Sequence, residues 1–76
     1  MLNDTEKMEL DLRNLKYGTL GLTLPEIKSQ IQKKIRKVPH YPDVQAGVMT
    51  LILAGFLEVI TCQIGETVYH TFRRRK

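Results

Sequence analysis

Residues 48–60 read VMTLILAGFLEVI and residues 64–72 read IGETVYHTF. Val44, Val48, Leu51 and Ile52 share one face of a helix, and Ala46, Met49 and Leu53 leave little polar surface beside them, so this helix wants burial on more than one side. Asp43 favours its start, and Gly55 suits the left-handed residue that ends it. Leu57 to Ile64 is then rich in β-branched residues, and Thr67 to Phe72 repeats that character. Gly65-Glu66 between them puts glycine first, as a type II′ hairpin turn requires. That turn pairs Ile64 with Thr67 and Val59 with Phe72, and it gives Leu57, Val59, Val68 and Phe72 one core-facing side.

Upstream, Thr23-Leu24-Pro25-Glu26 is a helix start. Thr23 fits the N-cap, Pro25 lacks an N–H that the first turn would leave unbonded, and Glu26 closes a capping box. Ile27, Ile31 and Ile35 follow at four-residue steps, with Leu24 and Val38 extending the face, so the spacing predicts a helix over 24–37. Val38-Pro39-His40-Tyr41-Pro42 then reads as a stiff connector, since each proline disfavours helix in the residue before it. An earlier helix over 4–16 is expected from Asn3 as cap, Glu6 in the first turn, and Met8, Leu12 and Leu15 at helical spacing. Thr19 to Leu22 is short and alternating, fit for a brief strand against the hairpin.

The fold class expected is therefore α+β: three helices followed by a two-stranded β-hairpin, with a short strand before the second helix. That order, carried by the two strings quoted first, resembles the winged helix-turn-helix superfamily over Asn3 to Phe72. The domain is expected over 1–72, followed by a basic tail over 73–76. The resemblance implies duplex DNA as partner, with the third helix in the groove and the hairpin as wing. Many members are transcription regulators; others mediate protein–protein contacts, so fold alone does not assign function.

Seventy-six residues make one small domain, with 12 Lys and Arg against 8 Asp and Glu, a net charge of +4. This balance favours nucleic acid or acidic surfaces as partners. Nine of the 12 basic residues fall in two clusters: Lys28, Lys33, Lys34, Arg36 and Lys37 on or after the second helix, and Arg73, Arg74, Arg75 and Lys76 at the end. Such clusters hold phosphates without reading sequence; the plain alternative is a solvated helix face and a flexible end. On the third helix, Gln45 can reach an adenine edge and Thr50 a base or phosphate. Asp43 repels phosphate, no Lys or Arg lies on this helix, and the wing tip carries only Glu66. Met49 and Leu53 are an outward apolar stripe, fit for a homodimer or protein partner, unless the bundle wraps far enough to bury them.

Several chemistries lack their residues. His40 and His70 have no partners at metal-ligand spacing, Gly18 and Gly21 lack the Lys-Ser/Thr of a phosphate loop, and no nucleophile–base arrangement is evident. No enzyme activity, cofactor or small-molecule substrate is expected. Single Cys62 excludes an internal disulfide and reads as a small buried hydrophobe in a cytoplasmic or nucleoid-associated protein. The N-terminus has early acids and no apolar core segment, unlike a secretory signal. Ala46 to Ile64 is nearly continuous apolar sequence, but Glu58 and Gly55 argue against a membrane span.

Overall fold

A computed structural model of the chain describes residues 3–75. Three helices, α1 (Asp4–Arg13), α2 (Leu24–Ile35) and α3 (Tyr41–Leu53), precede two strands, β1 (Leu57–Ile64) and β2 (Thr67–Arg74). The strands form one antiparallel hairpin in the expected register, Ile64 opposite Thr67 and Val59 opposite Phe72. Gly65 has φ 62°, and Glu66 does not share a positive φ, as the type II′ turn requires. Before α2, Leu22 and Phe72 exchange two backbone hydrogen bonds of 2.8 Å, so the short strand is reduced to a one-residue bridge.

The helix ends follow local chemistry. Asn3 accepts a bond from the Glu6 N–H, and the Thr23–Glu26 capping box is complete. α1 stops at Arg13, three residues before the expected end, because Leu15 and Tyr17 leave the helix to enter the core. α2 stops at Ile35, where Arg36 takes a left-handed conformation at φ 59°. That reversal leaves Val38 69% exposed and buries Pro39 instead, correcting the expectation that Val38 extends the apolar face. α3 begins at Tyr41 rather than Asp43. Pro42 sits in its first turn, where no intrahelical N–H bond is needed. At the other end, Gly55 donates to the Ile52 carbonyl and Phe56 to that of Leu51, a Schellman closure around left-handed Gly55.

Leu12, Leu15, Tyr17, Leu22, Ile27, Ile31, Val44, Val48, Leu51, Leu57 and Phe72 form the core. α1 packs closely on α3 because Gly47 has no side chain; a Cβ there would lie 2.6 Å from Leu12 Cδ1. The hairpin contributes only its base. Leu57 and Phe72 are buried, but Val59 and Val68 are about half exposed, at 46% and 51%. The expected core side of the hairpin therefore ends one step from its base, because the ribbon projects past the helices. The extents of 45 × 25 × 20 Å record that projection. Cys62 lies on this ribbon half buried rather than in the core. No helix among the described residues is long and apolar enough to cross a membrane.

Candidate nucleic-acid interface

The basic side chains of α2 do not share one stripe. Lys28 and Lys33 are five residues apart, about 140° around the helix. Lys28 lies on one flank, its ammonium 5.5 Å from the centre of the Tyr41 ring. Lys34 lies on the other flank and faces Asp11 of α1 at 3.9 Å. Lys33 is exposed, as are Arg36 and Lys37 just past the helix end. These three, with Ser29, Gln32 and Val38, line a shallow groove. On the α1 side of the same end, a cleft of about 940 Å³ is lined by Lys7, Lys34 and Lys37 but also by Asp4, Asp11 and Asp43. Lys33 and Arg36 face away from these acids in the shallow groove, and Lys37 borders both hollows without an ion pair.

The second cluster is divided by the hairpin. β2 continues through Arg73 and Arg74, two residues beyond the expected strand end, so these are ladder residues. Arg73 points to one face, where its Nε donates to Glu58 Oε1 at 2.6 Å and its guanidinium donates to the Thr19 carbonyl at 3.1 Å. That charge is committed to tying the 18–21 turn to the hairpin. Arg74 alternates to the other face, and its guanidinium lies 5.1 Å from the centre of the Phe56 ring. Arg13, at the end of α1, lies 4.8 Å from the same ring centre. Arg75 is exposed beside them and donates its backbone N–H to the Phe56 carbonyl. Lys76 lies outside the described residues.

Arg13 is a member of this cluster that sequence reasoning missed. It ends α1, more than sixty positions before Arg74, and only packing at Phe56 unites them. Among the described residues, Arg13, Lys33, Arg36, Lys37, Arg74 and Arg75 make no ion pair. Arg74 and Arg75 follow Phe72, which is bridged to Leu22 beside the start of α2, and Arg36 closes the far end of that helix. The helix between Thr23 and Arg36 is twelve residues long, about 18 Å at 1.5 Å per residue.

On α3, Gln45, Met49 and Leu53 form one exposed row at four-residue spacing, and Thr50 lies beside it. The Thr50 hydroxyl donates to the Ala46 carbonyl at 2.9 Å, so its donor is spent within the helix. Met49 is 56% and Leu53 81% exposed; the bundle does not wrap this face. Asp43 sits at the start of α3 with His40 Nδ1 3.6 Å from its carboxylate. His70 pairs with Thr61 across the hairpin, at 3.3 Å. No group of three His, Cys, Asp or Glu among the described residues could hold a metal ion. Comparison with protein-family models, with curated proteins and with solved structures gives no match for this chain.

Proposed function

We propose that this chain is a small winged helix-turn-helix protein that grips duplex DNA by its phosphates, as a transcription regulator of the cytoplasm or nucleoid would. The observation that carries this reading is a pair of cation groups without ion pairs: Lys33, Arg36 and Lys37 at the end of α2, and Arg13, Arg74 and Arg75 around Phe56. Cations left without carboxylates are free to release counterions from a phosphate backbone. Arg36 adds support, because it holds the left-handed C-cap position where glycine is least strained. A strained residue that carries charge suggests that the charge is needed there. Three helices, a bridge before α2 and a terminal hairpin agree with the proposed family.

Base reading is the weaker part of this function. Gln45 is the exposed α3 side chain with free amide donors and acceptors, which suits adenine. The reading is therefore of a protein whose affinity is mostly electrostatic. Its test is fluorescence anisotropy with a mixed-sequence duplex at two salt concentrations. Binding that weakens steeply with salt, and is lost in a Lys33→Glu, Arg36→Glu, Lys37→Glu variant, supports it. No binding at low salt overturns it.

The exposure of Met49 and Leu53 favours a second reading, a winged-helix module that docks a protein partner on α3. Met49→Glu is expected to abolish that contact without unfolding the domain; unchanged partner capture by this variant refutes it.

A further inference from the structure

We infer that the outer edge of β1 is a dimerisation edge, and that its occupant is β1 of a second copy of this chain, paired antiparallel about a two-fold axis at Thr61. This inference does not depend on the DNA reading.

The backbone sets which groups are available. Phe72 gives both its N–H and its carbonyl to Leu22, away from β1. Hydrogen bonding alternates along an antiparallel ladder, so Val59, opposite Phe72, also aims its backbone groups away from the hairpin. The same alternation turns those of Thr61 and Gln63 outward. Outside the hairpin ladder, none of these three has a backbone partner among the described residues. The edge carries none of the usual guards: between Val59 and Ile64 there is no proline, no charge and no bulge in the register.

Parity then restricts the pairing. Outward residues are odd-numbered and must face outward residues of the second copy, so paired positions sum to an even number, and an axis on Thr61, the middle of the three, keeps all three paired with one another. Centring on Thr61 pairs it with itself and pairs Val59 with Gln63 of the second copy. Each such pair exchanges two bonds, roughly six in all. Half-buried Ile60 and Cys62 then meet each other across the axis on one face. The product is a four-stranded sheet, which a lone two-stranded ribbon needs for independent stability, and the two-fold closes it.

Charge selects a second copy as occupant. The chain is +4, yet from Val59 to Phe72 its single formal charge is Glu66. Two copies therefore repel least along this ribbon. In the Thr61 register paired positions sum to 122, so Ile64 of the second copy lies opposite Glu58 and the Gly65-Glu66 turn that follows it comes to the Phe56 end of β1. That is where Arg13 and Arg74 converge without a carboxylate. Glu58, the other hairpin acid, already holds Arg73 and falls opposite Ile64 rather than another acid.

The experiment is sedimentation of the full chain across a concentration series, with amide hydrogen exchange read by NMR on the same samples. The expected mass rises toward twice 8.8 kDa. The amides of Val59, Thr61 and Gln63 become protected as it does, while those of Ile60 and Cys62 are protected throughout. Thr61→Pro removes an outward N–H and spares the hairpin's own ladder, so it should return the chain to monomer. Glu66→Lys, at the turn, should weaken association at least tenfold at low salt. A strict monomer at millimolar concentration, or association that leaves the three amides unprotected, overturns the inference. Loss of association in Met49→Glu with those amides unprotected would assign the contact to α3.

Discussion

Tyr17 is the residue whose titration the fold controls. Its ring is buried, and its hydroxyl donates to the Leu12 carbonyl at the end of α1. Burial disfavours the phenolate and pushes the pKa up to about 12 from 10. The unfolded chain therefore releases this proton near pH 10, while the folded chain holds it to about 12. The stabilisation is fully present below pH 10 and is lost between pH 10 and 12, by on the order of 2–3 kcal/mol. Tyr17→Phe is expected to flatten that alkaline loss, which urea titrations of both proteins from pH 8 to 12 would measure. Gly21 makes a second residue-scale prediction. It has φ 80°, and a Cβ there would lie 2.7 Å from the Phe72 carbonyl oxygen. Gly55 has φ 79° but open space around it. Alanine at either position costs about 1 kcal/mol for the left-handed backbone, whereas Gly21→Ala must also break the Leu22–Phe72 bridge. Denaturant unfolding should show at least about 1 kcal/mol of extra loss for Gly21→Ala; equal losses would mean that the bridge contributes nothing.

Among the elements, α2 has the strongest start and the more costly finish. Thr23 accepts from the Glu26 N–H and donates its own N–H and hydroxyl to the Glu26 carboxylate, which holds that carboxyl below its usual range. Thr23→Ala should cost about 1 kcal/mol of stability by urea unfolding and let the Glu26 pKa rise, as a carboxyl NMR titration would show. At the other end, Arg36→Gly should stabilise the domain by roughly 0.5–1 kcal/mol, because glycine occupies φ 59° without a Cβ penalty. If the proposed function holds, the same variant binds DNA less tightly. A gain in stability with unchanged affinity would leave Arg36 out of the interface. The hairpin is the opposite kind of element: a complete ladder of eight pairs, of which only the base enters the core.

The whole molecule separates its charge by position rather than by sign. Phosphate contacts by the six cations of the two groups would give a salt slope near −5, at about 0.9 per phosphate contacted. The Arg13→Glu, Arg74→Glu, Arg75→Glu variant and the Lys33→Glu, Arg36→Glu, Lys37→Glu variant should each reduce that slope by roughly half. A slope changed by only one of them would place a single group on the duplex. The elements and register were legible along the chain because they depend on neighbours: the Thr23–Glu26 cap, the Gly55 stop, the Gly65-Glu66 turn, and apolar steps of four or two. Cys62, Val59 and Val68 were misjudged, since alternation says which residues share a face but not how far a core extends beneath it. The candidate cations were legible as residue types; their freedom was not. Lys34 is held by Asp11 and Arg73 by Glu58, while Arg13 joins Arg74 at Phe56, and each of these relations spans fifteen or more positions. Local spacing by itself determined three helices and a hairpin, because caps, turns and periodicity act within a few residues. Only the tertiary structure decided which charges stay unpaired and which apolar side chains stay outside, because both depend on distances between segments that the order of residues does not set.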